Sequence, residues 1–262
     1  MPKVTAMTVQ LQVADHTTMQ TYAAFPKHPT GAAILVLQEA FGITAHIRAV
    51  ADRFAAQGYL AIAPELFHRT APAGFVGPYA DFNVVVPHYQ AITLPSLTLD
   101  LNAAFAWLNA QSSVIKDQIG CIGFCMGGRS AFLANAVLPL KAAVSAYGGG
   151  IAPDLLPLAH KQSGPLLLAW GGLDTLIDHA QRVAVGAALA EAGKDYSEVL
   201  FATAGHGFFC PDRSAYHAAA ARQGWSMIDA FFQMHLQDPI LTRRAAATTV
   251  TPTQPDVTEA AI

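Results

Sequence analysis

The sequence predicts one α/β domain in which a mostly parallel central sheet is covered by helices on both faces. Strand-length apolar runs alternate with segments of helical periodicity along most of the chain, as in repeated βα units. Runs such as 32–37 and 119–124 are apolar without alternation, which is typical of strands buried on both faces. A chain of 262 residues, 53% hydrophobic and 13% charged, can also build one full core.

The individual elements follow from local patterns. Apolar and polar residues alternate in the first two strands, whereas most of the later strands are nearly continuous apolar runs. The helix at 46–57 stops at Gly58, as expected for a glycine that ends a helix. The predicted strands are 5–13, 19–25, 32–37, 59–63, 119–124, 142–147, 165–170 and 197–201. The predicted helices are 46–57, 96–111, 127–137, 178–192 and 214–236.

One internal segment and the chain end depart from this alternation. Residues 65–95 are rich in proline, glycine and aromatic residues without a clear period, which predicts a lid or a pocket-forming excursion. We expect a single α/β domain over 1–244. The Thr- and Pro-rich residues 245–262 are expected to form a flexible C-terminal tail.

Composition and charge argue against several classes of function. The net charge is −3 and no basic run occurs, so neither nucleic acid nor an anionic membrane surface is an expected partner. No secretory signal or membrane-spanning run is apparent, and three cysteines are too few for a disulfide framework. We therefore expect a cytoplasmic protein, a monomer or a small homo-oligomer. We expect no metal and no cofactor, because paired His/Cys ligand spacing is missing.

The strongest local signal surrounds Cys125. Gly123-Phe124-Cys125-Met126-Gly127 joins an apolar strand to a helical segment and matches the G-x-S-x-G nucleophile elbow with cysteine in place of serine. Side chains at the two glycine positions would clash in so sharp a turn, and the helix dipole favours an anionic thiolate. The alternative is a glycine-rich turn around a buried cysteine that has no catalytic role.

Candidates for the other catalytic groups follow in the required order. Asp174 comes after strand 165–170, and His206 comes after strand 197–201. In such a triad the histidine takes the nucleophile's proton and the aspartate orients the imidazole. Taken singly, Asp174 could be a turn residue or a helix cap, a role for which Asp178 competes, and His206 is one of ten histidines.

An oxyanion hole needs two backbone N–H groups directed at the developing negative charge. The first is predicted at Met126, directly after the nucleophile. The second is predicted in the loop after strand 32–37, at Ala40 or Phe41.

Five motifs in this order resemble the dienelactone hydrolase (carboxymethylenebutenolidase) family of the α/β-hydrolase superfamily, over roughly residues 5–236. They are QEAFG at 38–42, AAQGYLAIAPELF at 55–67, GCIGFCMGG at 120–128, WGGLD at 170–174 and AGHGF at 204–208. The resemblance implies a Cys–His–Asp triad of Cys125, His206 and Asp174 that opens small esters or lactones through an acyl-thioester. It also implies that Glu39 lies beside the thiol and helps to control its ionisation. Without the resemblance, Glu39 could be an exposed acid or a cap for the helix at 46–57.

The sequence departs from this family where the substrate carboxylate is bound. Family members that act on dienelactone use two arginines, but no arginine lies between Arg69 and Arg129, and Cys210 stands four residues after the histidine. Arg213 is the nearest candidate replacement and Arg69 a weaker one. The predicted substrate-binding residues are Phe41, Phe124, Arg213, Phe208 and Tyr79, while Phe67, Tyr79, Phe82, His88 and Tyr89 could build a more apolar pocket.

Two other functions remain open at this point. The same site could serve a promiscuous carboxylesterase or thioesterase, which would prefer linear esters to lactones. A non-catalytic ligand-binding protein of the same fold usually lacks a triad residue, and none is missing here.

Overall fold

The structure is a computed structural model that describes residues 4–237. The predicted tail at 245–262 and the predicted domain boundary at 244 lie outside the described residues. Within the described part, no helix has both the length and the apolar character needed to cross a membrane.

One eight-stranded sheet forms the centre of the molecule, in the order β1-β2-β4-β3-β5-β6-β7-β8. The first two strands pair antiparallel with each other, and β2 pairs antiparallel with β4, while every pairing from β4 to β8 is parallel. This confirms the predicted mostly parallel sheet. The strands are β1 (Thr5–Gln12), β2 (Thr18–Phe25), β3 (Ala33–Leu37), β4 (Leu60–Pro64), β5 (Ile119–Phe124), β6 (Ala142–Ala146), β7 (Leu166–Gly171) and β8 (Tyr196–Phe201).

Helices cover both faces of this sheet. On one face, Phe54 of the first helix packs against Phe232 and Trp225 of the last. The third and fourth helices contact each other on the opposite face. The helices are α1 (Ala45–Ala56), α2 (Val86–Ala91), α3 (Leu94–Asn109), α4 (Met126–Val137), α5 (His179–Glu191) and α6 (Ala218–Gln237). Asp178 caps α5 by accepting a hydrogen bond from Gln181 N, so it takes the capping role for which it competed with Asp174.

The structure differs from the sequence-based expectation in three places. The excursion 65–95 contains a 3-10 turn at Phe82–Val84 and the short helix α2. A second 3-10 segment, Leu156–Lys161, was not predicted. The last helix begins at Ala218 rather than at 214, because residues 211–217 form turns in which Tyr216 N donates to Arg213 O.

The parallel strands bring the candidate residues to one edge of the sheet. Cys125 follows β5 directly, Glu39 lies two residues after β3, and Asp174 and His206 lie in the loops after β7 and β8. Since the carboxyl ends of parallel strands meet at the same edge, residues far apart in sequence share one site.

Candidate active site

Cys125 occupies a strained turn between β5 and α4. Its φ of 55° and ψ of −117° are unusual for a non-glycine residue. Its backbone N–H donates to Ala146 O on the neighbouring strand at 3.0 Å. The turn is therefore held by the sheet on one side and by the helix on the other, and it presents the thiol at the sheet edge.

The two glycines of the elbow are needed because backbone approaches them closely. A side-chain carbon at Gly123 would collide with Gly127 O, and one at Gly127 would collide with Leu37 O. The expected clash is thus present at both positions, and the approach brings the start of α4 close to the end of β3.

A hydrogen bond of 2.8 Å joins His206 Nδ1 to Asp174 Oδ2. The other carboxylate oxygen of Asp174 accepts from the backbone N–H groups of Leu176, at 2.8 Å, and Ile177, at 3.2 Å. The Asp174 side chain is almost fully buried and that of His206 nearly so. The carboxylate is thereby fixed by the backbone and in turn fixes the imidazole, whose Nε2 is buried without a hydrogen-bond partner.

The pKa of His206 is raised to about 9. Burial alone would lower it, but the hydrogen bond with Asp174 and the nearby Cys125 outweigh that effect, and the Asp174 charge adds to them. An imidazole of raised basicity retains a proton up to about pH 9, so in this position it favours transfer of a neighbouring thiol's proton to the ring.

This raised pKa predicts how stability depends on pH. An unfolded histidine has a pKa of about 6.5, so the folded protein binds the extra proton between about pH 6.5 and 9. The stabilisation from His206 should be fully present below about pH 6.5 and lost as the pH rises through about 9. Urea denaturation across this range should show the decline in wild type and in His160→Gln, an exposed control, but a weaker decline in His206→Gln. An equal slope in all three proteins would contradict the assignment.

Glu39 lies fully buried beside this pair. Its Oε1 accepts from Arg213 Nη1 at 2.9 Å, and its Oε2 has no hydrogen-bond partner. Burial raises the pKa of Glu39, while the charge and hydrogen bond of Arg213 act in the opposite direction. Glu39 therefore neither caps α1, which Thr44 does, nor reaches solvent.

Arg213 reaches Glu39 across a glycine. Gly207 has a φ of +88°, and a side-chain carbon there would lie only 2.6 Å from Arg213 Cζ. The guanidinium also lies over the ring of Phe41, 5.6 Å from its centroid. The glycine directly after His206 is the sequence feature that could have indicated a close approach here.

Cys210 is buried and donates from Sγ to the Tyr79 hydroxyl at 3.3 Å.

A cavity of about 470 Å³ lies over these groups. Its lining is mostly apolar and brings together the nucleophile candidate, the histidine and the arginine. The lining residues are Ala40, Phe41, Phe82, Tyr89, Cys125, Met126, Gly149, Gly150, Leu176, His206 and Arg213. A larger depression of about 680 Å³, around Pro26 and Gln57, lies at the opposite edge of the sheet and contains none of the candidate residues.

Both predicted oxyanion-hole residues line this cavity. Met126 is the first residue of α4, where backbone N–H groups have no acceptor within the helix. Ala40 follows Glu39 in the loop after β3 and is buried against the same space. Both residues therefore border the cavity that Cys125 also lines, where acyl transfer would need two backbone donors.

Among the predicted substrate-binding residues, Phe41 and Arg213 line the cavity, whereas Phe124, Phe208 and Tyr79 do not. Phe124 and Phe208 are fully buried behind the site, both in contact with Tyr147. Tyr79 packs edge-on against Phe41, with 4.8 Å between the two ring centroids.

Of the other residues that the sequence analysis named, some line the cavity and some do not. Phe82 and Tyr89 of the excursion line the cavity, and Phe67 and His88 pack on Phe75 instead. Arg69 is held by Asp15 and Asp100, outside the cavity lining. The sequence analysis did not identify Gly149, Gly150 and Leu176 as lining residues, since no local motif marks them.

Within residues 4–237, no cluster of His, Cys, Asp and Glu side chains is arranged to hold a metal ion.

Comparison with known families gives one match over most of the chain. The model of the dienelactone hydrolase family matches residues 19–236. A Synechocystis sp. protein, provisionally named a carboxymethylenebutenolidase, is 33% identical over 213 residues, covering 78% of this chain and 86% of the relative. The carboxymethylenebutenolidase of Pseudomonas putida is 28% identical over 219 residues, covering 81% and 90%.

Solved structures show the same likeness. A crystal structure from Klebsiella pneumoniae, provisionally assigned as a dienelactone hydrolase, has a TM-score of 0.80 at 29% identity and covers 88% of this chain and 98% of its own. A Pyrococcus furiosus esterase has a TM-score of 0.67 at 15% identity, which shows similarity of fold alone.

Proposed function

Because the chain belongs to the dienelactone hydrolase family, we propose that it hydrolyses small esters or lactones through an acyl-thioester on Cys125. The observation that carries the proposal is the 2.8 Å hydrogen bond between His206 and Asp174 in a cavity that Cys125 also lines. No cofactor is needed for this chemistry, since nucleophile, base and oxyanion donors all come from the chain.

The proposed reaction uses each of these groups in turn. The substrate carbonyl binds with its oxygen near the N–H groups of Met126 and Ala40. His206 takes the thiol proton, and the thiolate of Cys125 attacks the carbonyl carbon. Collapse of the tetrahedral intermediate expels the alkoxide, which receives the proton from His206 and leaves an acyl-thioester. A water molecule deprotonated by His206 then cleaves the thioester and regenerates the thiol.

Glu39 and Arg213 adjust the charge around this reaction. A buried carboxylate near a thiol disfavours the thiolate, and Arg213 balances that carboxylate in the free protein. A substrate group that contacts Arg213 from the cavity would change the balance. Ionisation of Cys125 would in this way be linked to substrate binding, as the family resemblance implies.

A second candidate function, a carboxylesterase with broad specificity, is favoured by the cavity lining. Apart from His206, the only ionised side chain in the described lining is Arg213, whose charge is already paired with Glu39. Phe41, Phe82 and Tyr89 provide apolar surface suited to neutral esters. The two candidates share one mechanism and differ in whether lactones or linear esters are the better substrates.

The test is an assay of dienelactone, a neutral lactone and 4-nitrophenyl acetate, each with and without prior iodoacetamide treatment. We expect turnover that is lost on alkylation, with Cys125 as the modified residue in a peptide map, because Cys121 and Cys210 are buried. Turnover that survives complete alkylation of Cys125 would exclude the thioester mechanism. No turnover of any ester would contradict the proposed function.

A further inference from the structure

A second cavity adjoins the active-site cavity, and Met126 and Tyr89 contribute to the walls of both. It has a volume of about 240 Å³ and lies where the end of α2 and the beginning of α3 meet the beginning of α4. Met126 directly follows Cys125 in the chain. An acyl group bound to the sulfur of Cys125 therefore lies next to a side chain that borders both spaces.

The path from one cavity to the other is apolar and adaptable. Met126 is buried and unbranched, and such a side chain adjusts its rotamer to a neighbouring group. Beyond it, the second cavity is lined by Ile92, Leu94 and Leu97. A linear alkyl chain that leaves the active-site cavity beside Met126 thus stays in contact with apolar surface.

The polar side chains of the second cavity are already hydrogen-bonded. Ser130 Oγ donates to a backbone carbonyl of its own helix at 2.8 Å, and Thr93 Oγ1 caps α3 by accepting from Ser96 N at 3.2 Å. Arg129 donates to Asp154 at 3.1 Å. Within residues 4–237, no buried side-chain donor or acceptor of this lining lacks a partner. An apolar occupant therefore leaves no buried hydrogen bond unmade there.

We propose that the second cavity is an acyl-chain subsite, which binds the linear alkyl chain of an ester whose carbonyl carbon is attacked by Cys125. This inference rests on the proposed function and specifies its substrates as esters of medium-chain carboxylic acids. The chain extends from the carbonyl past Met126 to the apolar wall of Ile92, Leu94 and Leu97. Each methylene group that becomes fully buried there should raise kcat/KM about fourfold.

The test compares 4-nitrophenyl hexanoate with 4-nitrophenyl acetate, which share the leaving group and differ in acyl-chain length. The measured quantity is the ratio of kcat/KM for hexanoate to kcat/KM for acetate, which should exceed one in wild type. We expect Ile92→Trp, which fills the second cavity, to lower this ratio at least about tenfold, the loss expected when two methylene groups stay unburied. Leu94→Trp should lower it similarly, whereas Ile115→Trp, an exposed position outside both linings, should leave it unchanged.

The outcomes separate this inference from the proposed function. Hydrolysis that depends on Cys125 overturns the inference and leaves the function standing if wild type does not prefer hexanoate. The same holds if neither Ile92→Trp nor Leu94→Trp lowers the ratio, or if Ile115→Trp lowers it equally.

If wild type hydrolyses neither ester, the proposed function fails, and alkylation of Cys125 then decides the inference alone. The thiolate displaces iodide from N-hexyl- or N-methyl-iodoacetamide and forms a thioether, while the thiol proton passes to solvent. Faster modification of Cys125 by the hexyl reagent that is lost in Ile92→Trp supports the subsite. Equal rates with the two reagents, or a hexyl preference that survives in Ile92→Trp, overturn it.

Discussion

Replacing Cys125 with alanine is expected to lower kcat/KM for 4-nitrophenyl acetate by at least about 1000-fold, because the covalent route then has no nucleophile. Some acceleration over water would remain, since the backbone donors at Met126 and Ala40 and the base His206 are still in place. The cavity loses only a sulfur atom that is partly exposed, so the fold should not change. Steady-state rates and a circular dichroism spectrum check both parts of this expectation.

A serine at the same position separates the identity of the nucleophile from its geometry. Cys125→Ser keeps a nucleophilic atom on the strained turn, but a hydroxyl is far less acidic than a thiol. The neighbouring Glu39 carboxylate further disfavours an anion there. We therefore expect this variant also to lose most of its activity. Cys121→Ala, in the core of β5, is the matched cysteine control and should retain activity within about twofold. Full activity in Cys125→Ala would exclude the proposed mechanism.

Trapping the intermediate tests the chemistry directly. Acylation and deacylation both use His206, but acylation by an activated ester with a good leaving group depends on it less than attack by water does. A His206→Gln variant should therefore accumulate an acetyl group slowly after reaction with 4-nitrophenyl acetate. Intact-mass and peptide mapping should place that group on Cys125. Absence of any acetylated protein, together with normal turnover in wild type, would point to direct attack by water.

The positions of Cys125, Asp174 and His206 at the sheet edge could be predicted because they depend only on the local order of strands, loops and helices. Cys125 lies where an apolar strand meets a helical segment through two glycines, and this order alone implies a sharp turn. Asp174 and His206 each follow a predicted strand, so a parallel sheet brings them to the same edge. These inferences needed no knowledge of side-chain packing.

The remaining features of the site depend on packing that no local pattern shows. Phe124 precedes Cys125 at the end of β5 and points away from the cavity, towards Trp225 of α6. Its neighbour Cys125 lines the cavity, so a residue next to the nucleophile candidate in sequence need not share its surroundings. The reach of Arg213 depends on a late start of α6 and on the missing side chain of Gly207. The helical periodicity of 214–236 gave no sign of the turns at its beginning.

Replacing Arg213 with methionine is expected to destabilise the protein by about 3–5 kcal/mol, the usual cost of leaving a buried charge without its partner. Glu39 has no exposed surface and its side-chain hydrogen bond is to Arg213, so removal of the guanidinium leaves a buried carboxylate without its partner. Arg53→Met breaks a partly exposed pair with Asp229 and should cost about 1 kcal/mol, which provides the control. Urea denaturation measures both free energies of unfolding.

A double-mutant cycle and a pH series show whether the lost partner is the cause. Adding Glu39→Gln to Arg213→Met removes the buried charge and should recover most of the lost stability. Without Arg213, burial acts on Glu39 against the charge of His206 only and raises its pKa further above that of the unfolded chain. The deficit of the single variant relative to the double variant should therefore grow as the pH rises from the ordinary value of about 4.5 towards that raised value, level off above it, and vanish in acid, because protonation removes the charge. A deficit that is independent of pH and persists in the double variant would mean that Arg213 stabilises the fold through its packing on Phe41 and Tyr79, and that its charge contributes little.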